Sequence, residues 1–469
     1  MIFSSIFFIF VFLPVTLLVY FLVPKVLKNF VLLICSLVFY AWGEPIYILL
    51  MIFSIFYNYI SGVEMEFYRS RNQTAKLKFI FWLAVGVNLG ILGFFKYYGF
   101  ILDNLNHILP VDIKYTSLPL PIGISFYTFQ TLSYIIDVYR GKVEVQKNLI
   151  NFGLYISMFP QLIAGPIVRY ADIEKQLTDR TVTMEGFGEG VMFFLKGLGK
   201  KVLLANNIGM AYTAVSELPA EKFSALAAWI GAIAYTFQIY FDFSGYSDMA
   251  IGLGKMFGFS FMKNFDHPYI SASITEFWRR WHISLSSWFK EYVYIPLGGN
   301  RVSVAKHIRN IFIVWILTGF WHGAAWNFVF WGLYYGVLLT LEKYVLAPVL
   351  DRMPEIVRHL YALFFIVIGW VFFSSSSLPA AFHYLAVMFG GGSAVNASAG
   401  LYYLYNYIIL FIICVICSGP GFTRELNRFI VSKKKHRRVI AYCLYIASFV
   451  CCIAFLVNAT YNPFLYFRF

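Results

Sequence analysis

One uncharged stretch, residues 310–341, limits most strongly what this chain can fold into. Its 32 residues include no Asp, Glu, Lys or Arg, and at about 1.5 Å per helical residue they exceed the ~30 Å hydrocarbon layer of a bilayer. His322 lies near the middle, followed by Gly323, Ala324 and Ala325. An ionisable side chain at that depth is costly, and small residues would let a helix or a thin substrate approach it. We expect His322 to be functional; a histidine hydrogen-bonded between helices, or one near the bilayer edge, is the structural alternative.

Similar uncharged runs recur along the whole chain, which is 60% hydrophobic and 13% charged. Soluble globular proteins contain about 25% charged residues. The composition therefore predicts an all-α, multi-pass integral membrane protein with about eleven transmembrane helices and shorter re-entrant or interfacial helices. The first run lacks a basic start and a small-residue cleavage site, so we expect a retained span and not a signal peptide. No soluble domain is visible, and we predict one transmembrane domain over residues 1–469.

The net charge of +14 does not indicate nucleic acid, because the basic residues fall in short loops between apolar runs. Basic clusters lie at residues 25–28, 69–78 and 433–438. Cytoplasmic loops of membrane proteins carry an excess of Lys and Arg. Placing all three clusters in the cytoplasm predicts an N-terminus and a C-terminus outside. The six cysteines lie mostly in apolar runs and are expected to serve packing, not redox chemistry.

Two apolar segments contain helix-breaking residues. One is residues 119–130, with two prolines and a glycine among polar side chains, and the other is residues 158–170, which includes Gln161. Interrupted backbone inside a membrane is tolerated where it is buried in protein or lines a watery cavity, although a kinked structural helix is the alternative. Asp242 and Asp248 lie six residues apart and would face different sides of a helix. We expect a structural role for them, such as capping a helix broken at Ser244-Gly245.

The densest polar segment, residues 275–301, interleaves tryptophans with arginines and lysines. It is too polar to cross a membrane and too aromatic for an ordinary loop, which predicts an interfacial or re-entrant helix. The segment contains His282, which does not share a helical face with Glu276 six residues earlier. Its cations could hold an anionic ligand arriving from the cytoplasm; they include Arg279, Arg280, Lys290 and Arg301.

Three ordered motifs give the chain a specific resemblance. They are QIYFDFSGYSDMAIGLGKMFGF at residues 238–259, SITEFWRRWHISLSSWFKEYVYIPLGGNR at 273–301 and TGFWHGAAWNFVFWG at 318–332. Together they strongly resemble the membrane-bound O-acyltransferase (MBOAT) family, in its bacterial branch of alginate O-acetylases and peptidoglycan O-acetyltransferases. The ending NPFLYFRF, residues 462–469, is similar to the same branch. The teichoic acid D-alanine transferase branch is also similar, but FSGYSDMA and IPLGGNR favour the acetylases.

The resemblance implies a ring of helices around a central funnel, where cytoplasmic and outer passages meet near an essential histidine. It assigns that histidine to His322 and a second functional histidine to His282. With it we predict N-terminal scaffold helices in residues 1–98, a catalytic core in 119–345 and C-terminal helices in 359–469.

The implied reaction moves an acetyl group from cytoplasmic acetyl-CoA, across the bacterial cytoplasmic membrane, to an extracytoplasmic polysaccharide such as alginate or peptidoglycan. A periplasmic or extracellular partner resembling an acetyltransferase or esterase is expected to assist; no bound cofactor, metal or nucleic acid is expected. His322 would act as general base or as acetyl-accepting nucleophile, while His282 orients the thioester. Arg279, Arg280, Lys290 and Arg301 would meet the phosphates of the donor.

Two other classes of protein remain as alternatives. Broken helices and a mid-membrane histidine also suit a transporter or channel. A scaffold for an export complex is the second alternative. The position of both histidines in tryptophan-rich motifs, and the lack of an apparent internal repeat, favour the enzyme.

Overall fold

The computed structural model describes residues 1–110, 113–116, 118–392, 396–432, 434–458 and 465. The described residues contain no strand and the protein is 78% helical, which confirms the all-α prediction. Lys433 of the last basic cluster, and all of the ending at 462–469 except Leu465, lie outside the described residues. The chain divides into two compact units, Met1–Phe194 with Met249–Met262, and Leu195–Asp248 with Lys263–Phe469. The single domain over residues 1–469 and its three parts stay predictions.

Twenty-one α-helices follow one another in the described residues. They are α1 Leu13–Leu22, α2 Lys28–Gly43, α3 Ile48–Ser70, α4 Thr74–Ile108, α5 Ile124–Arg140, α6 Leu149–Ser157, α7 Phe159–Leu162, α8 Tyr170–Thr178, α9 Met184–Gly199, α10 Asn206–Ser216, α11 Ala225–Met256, α12 Ile274–Arg280, α13 Ile283–Phe289, α14 Val304–His322, α15 Trp326–Leu341, α16 Ala347–Leu350, α17 Glu355–Ser374, α18 Leu378–Met388, α19 Ser398–Ser418, α20 Pro420–Ile430 and α21 Lys435–Asn458. Wider π-helical turns occur at Phe8–Phe12, Lys200–Ala205, Lys290–Tyr294 and Glu342–Leu346.

Seven helices of the described chain are long and apolar enough, by length and composition, to cross a membrane. They are Lys25–Gly43, Ile48–Ser70, Thr74–Ile108, Trp326–Leu350, Glu355–Ser374, Ser398–Ser418 and Lys435–Asn458. The chain is therefore a multi-pass membrane protein. The predicted count of about eleven spans is not confirmed, because several apolar runs are divided into shorter helices.

In the first unit, buried polar side chains join three apolar helices. The amides of Asn58 on α3 and Asn88 on α4 bond reciprocally, with N···O distances of 3.1 and 2.7 Å. The Thr131 hydroxyl on α5 donates to Asn88 Oδ1 at 3.0 Å. Where neighbouring surfaces are equally apolar, such hydrogen bonds fix which helices associate.

Both predicted interruptions of apolar segments are confirmed. Helix α5 begins only after Gly123, whose φ of +75° is the left-handed conformation that glycine adopts without strain. A Cβ at Gly123 would also lie 2.8 Å from the carbonyl oxygen of Leu162, so the position excludes larger residues. In the second segment, α7 ends at Leu162 and no regular helix follows until Tyr170.

In the second unit, the uncharged stretch 310–341 forms a hairpin and not one crossing helix. Helix α14 ends at His322, the chain turns at residues 323–325, and α15 returns antiparallel to α14. The two backbones touch at glycines: a Cβ at Gly319 would overlap the carbonyl oxygen of Phe328, and one at Gly332 would overlap that of Trp315. His322 therefore lies at the closed end of a tightly packed hairpin.

Helix α11 carries the two aspartates and is continuous through Ser244-Gly245, so the predicted break there is wrong. The glycine allows a close neighbour instead, since a Cβ at Gly245 would lie 2.8 Å from the carbonyl oxygen of Gly197. The aspartates form ion pairs, and their expected structural role stays a prediction. Asp242 pairs with Lys201 at 2.5 Å, both side chains being 2% exposed, and Asp248 pairs with Lys200 at 2.7 Å.

Candidate functional site

The segment predicted to be re-entrant forms two short helices, α12 and α13, and side chains fix the start of α12. The hydroxyl of Ser273 accepts a hydrogen bond from the Glu276 N–H at 2.9 Å and so caps α12, an arrangement typical of a Ser-x-x-Glu start. The buried carboxylate of Glu342 accepts three more, from the N–H groups of Ile274 and Thr275 at 2.6 and 2.8 Å and from the Thr275 hydroxyl at 2.7 Å. A helix start exposes unsatisfied N–H groups and partial positive charge. The Ser273 hydroxyl and the Glu342 carboxylate therefore fix where α12 begins.

His282 forms the turn between α12 and α13, with a left-handed φ of +46°. Its Nδ1 lies 3.1 Å from Oδ1 of Asn264. The same oxygen accepts hydrogen bonds from the backbone N–H and the hydroxyl of Ser284, at 3.1 and 2.8 Å. The ring of Phe243 packs edge-on at 4.7 Å between centroids, and that of Trp321 lies at 5.9 Å. Burial lowers the pKa of His282 to about 3, so its imidazole is neutral at physiological pH.

His322 is the last residue of α14 and is 4% exposed. Three aromatic rings surround its imidazole, those of Trp321, Trp331 and Phe373, with centroid distances of 4.9, 5.1 and 5.1 Å. The C-terminal end of a helix carries partial negative charge, which favours an imidazolium there. His282 lies between two helix ends, after the last turn of α12 and before the first turn of α13.

A cavity of about 220 Å³ brings the two histidines together in the second unit. Its walls are formed mainly by three helices, on which many lining residues are three or four positions apart and so share one face. The lining residues are Thr275, Trp278 and Arg279 of α12; His282, Leu285, Ser286, Phe289, Lys290 and Tyr294 of α13 and its π-helical extension; Val314, Trp315, Thr318 and His322 of α14; and Leu339 of α15.

Lys290 and the histidines lie at different levels of this cavity. Eight residues separate His282 from Lys290 along α13, which is about 12 Å of helix rise. Tyr294, one turn beyond Lys290, bonds to His307 in the first turn of α14, whereas His322 is at the far end of that helix. The cavity can therefore accept an elongated molecule, with an anionic group near Lys290 and its reactive end near the histidines.

Four of the six predicted site residues line this cavity: His282, His322, Arg279 and Lys290. The structure places Arg280 elsewhere, in ion pairs with Glu276 at 2.9 Å and Asp266 at 3.4 Å. Arg301 is exposed in the loop before α14. Their contact with a donor, like the roles of the other four residues, stays a prediction.

Sequence reasoning missed two groups at the site. Asn264, which holds His282, lies 18 residues before it along the chain, and no helical or strand spacing links the two. The buried His307 bonds through both ring nitrogens, to the Tyr294 hydroxyl at 2.7 Å and the Tyr344 hydroxyl at 2.6 Å. His307 lies between Lys306 and Arg309, and this basic pattern gives no sign of its two tyrosine partners. Among the described residues, no cluster of His, Cys, Asp and Glu forms a metal site.

Comparisons with known proteins agree with the motifs. Residues 142–379 match the model of the membrane-bound O-acyltransferase family. The probable alginate O-acetylase of Azotobacter vinelandii is 44% identical over 407 residues, covering 84% of this chain and 79% of that protein. The peptidoglycan O-acetyltransferase of Helicobacter pylori is 36% identical over 427 residues, covering 83% and 80%. The teichoic acid D-alanyltransferase of Bacillus subtilis is 29% identical over 275 residues, covering 54% and 68%.

Proposed function

Because the chain belongs to the membrane-bound O-acyltransferase family and is an O-acyltransferase, we propose that it acetylates an extracytoplasmic polysaccharide. The donor is acetyl-CoA from the cytoplasm, and the chain lies in the bacterial cytoplasmic membrane with both termini outside. The acceptor is a polysaccharide of the alginate or peptidoglycan kind, the classes named for its relatives. A D-alanyl donor is less favoured, since the D-alanyltransferase relative is less similar over a shorter part of this chain.

The observation that carries this proposal is the single cavity holding both histidines and two cations. Lys290 and Arg279 supply positive charge for the phosphates of the donor, and the largely apolar wall suits its pantetheine arm. The thioester of a donor bound in this way would lie beside His282 and His322. Arg280 and Arg301 are assigned weaker, outer contacts with the phosphates, because both lie outside the cavity lining.

In the proposed reaction, His322 takes the proton of an acceptor hydroxyl, and the hydroxyl oxygen attacks the carbonyl carbon of the thioester. The C–S bond breaks, the new ester keeps the acetyl group, and the CoA thiolate recovers the proton from the imidazolium. The position of His322 at a helix C-terminus supports this role, because the imidazolium formed in the transition state is stabilised there. The hydroxyl belongs to the glycan or to a periplasmic or extracellular partner that passes the acetyl group on.

The test compares His322→Ala and His282→Ala with the matched control His383→Ala, an exposed histidine on α18. Membranes with equal amounts of each variant receive labelled acetyl-CoA on the cytoplasmic side, and the envelope glycans are analysed by mass. Loss of a general base typically costs 10²–10⁴-fold in rate, so we expect transfer to fall by about that factor for His322→Ala and to persist for the control. Normal acetylation by His322→Ala would overturn the assignment, and solute flux without acetyl consumption would support the transporter instead.

A further inference from the structure

The orientation of the Asn264 side chain is fixed by its neighbours. The backbone N–H of Ser284 can only donate, and it points at Oδ1 of Asn264 at 3.1 Å. On the other side, Nδ2 of Asn264 donates to the Ser247 hydroxyl at 3.0 Å. Reversing the amide would put an NH₂ group against a backbone N–H. The atom facing His282 Nδ1 at 3.1 Å is therefore the amide oxygen.

This orientation determines the tautomer of His282. An amide oxygen only accepts hydrogen bonds, so Nδ1 must carry the proton and donate it. In a neutral imidazole the other nitrogen, Nε2, then carries the lone pair and is an acceptor. The Nδ1 edge is held against Asn264 and Ser284, so Nε2 is the ring nitrogen on the edge away from Asn264, and His282 contributes to the cavity lining.

We propose that Asn264 is a positioning residue that holds His282 as a hydrogen-bond acceptor for the donor. This inference rests on the proposed function and refines it. His282 does not donate to the thioester carbonyl; its Nε2 accepts a hydrogen bond from the amide N–H of the pantetheine arm nearest the sulfur. The acyl donor is thereby selected for an amide near its thioester, and His322 is left as the proton-accepting group.

The surroundings of the ring keep His282 in this neutral form. Its aromatic neighbours are Phe243, Phe265 and Trp321, and Asn264, itself 1% exposed, is uncharged. The titratable or charged groups in the same cavity are His322, Arg279, Lys290 and Tyr294. Burial among these groups is what lowers the pKa of His282.

The experiment uses the full-length protein in membranes with acetyl-CoA as donor. Asn264→Leu removes the acceptor for Nδ1–H, and we expect kcat/KM to fall roughly 10–100-fold, by analogy with the loss of a residue that orients a metal-bound histidine. Asn264→Asp keeps the acceptor oxygen and is expected to recover most activity above pH 8. Its carboxylate also stabilises the imidazolium, which raises the pKa of His282. Activity of this variant should fall as the pH drops through that raised pKa, because the protonated Nε2 can no longer accept.

A double-mutant cycle separates positioning from simple destabilisation. If Asn264 acts through His282, Asn264→Leu should cost no more than about twofold in a His282→Ala background. The inference would be overturned if Asn264→Leu lowered kcat/KM equally in both backgrounds. It would also be overturned if the activity of Asn264→Asp fell at low pH no more than that of the wild type. The proposed function fails separately, if His322→Ala and His282→Ala acetylate glycan normally. A donor analogue in which an ester oxygen replaces the amide N–H nearest the sulfur should react more slowly than acetyl-CoA in the wild type but not in His282→Ala. An equal loss of rate in both proteins would also contradict the inference.

Discussion

Glu342 should be the most sensitive single residue for the integrity of the cavity wall, although it does not line the cavity. Its carboxylate accepts three hydrogen bonds of 2.6–2.8 Å at the start of α12. Hydrogen bonds to a charged group contribute about 1.5–3 kcal/mol each, and removing one partner leaves the others buried and unsatisfied. Since the three share one acceptor and are not additive, we expect Glu342→Ala to lower the free energy of unfolding by about 3–5 kcal/mol. Glu342→Gln keeps one acceptor oxygen and should cost about half as much.

Thermal unfolding in detergent, followed by size-exclusion chromatography of the fluorescently labelled protein, measures this effect. The matched control is Glu355→Ala, an exposed glutamate in the first turn of α17, expected to change stability by less than about 0.5 kcal/mol. Because α12 carries Trp278 and Arg279 on the cavity wall, the KM for the donor should rise in Glu342→Gln more than kcat falls. Equal melting temperatures for Glu342→Ala and the wild type would refute the reasoning.

Two further predictions concern the hairpin and the cavity entrance. Gly332→Ala should push α14 and α15 apart, because its Cβ would overlap the Trp315 carbonyl oxygen; we expect acetyl transfer to fall at least about tenfold in the glycan assay, while Gly90→Ala on α4, where a Cβ meets nothing within 4 Å, serves as control. Equal activity of the two variants would contradict the close packing. His307→Phe should release the Tyr294 hydroxyl and raise the KM for acetyl-CoA several-fold with little change in kcat. The KM is measured from initial rates at a series of donor concentrations. An unchanged KM would contradict a role of His307 in holding Tyr294.

The sequence was sufficient for properties that depend on local pattern. Low charge and recurring apolar runs predicted an all-helical membrane protein. Prolines and glycine before α5 predicted its late start, since their backbone preferences are intrinsic. His322 stood out as an ionisable residue in an uncharged stretch, whereas His282 was assigned through the family resemblance; the structure brings both to one cavity.

Features that depend on tertiary contact could not be read in the same way. The two arms of the α14–α15 hairpin are both uncharged, so the pattern contained no sign of the turn at Gly323. Gly245 was interpreted as a helix break, but it serves close packing against Gly197, which is distant in sequence. The ion pair of Arg280 with Asp266, 14 residues earlier, likewise depends on a tertiary contact that no local spacing indicates.

At Gly319 and Gly332 the backbones of α14 and α15 touch with no side chain between them. Helices in backbone contact cannot move closer together, so this part of the hairpin should resist deformation. Glu342, in the π-helical extension of α15, also holds the start of α12. A displacement of the hairpin would therefore carry the α12 wall of the cavity with it.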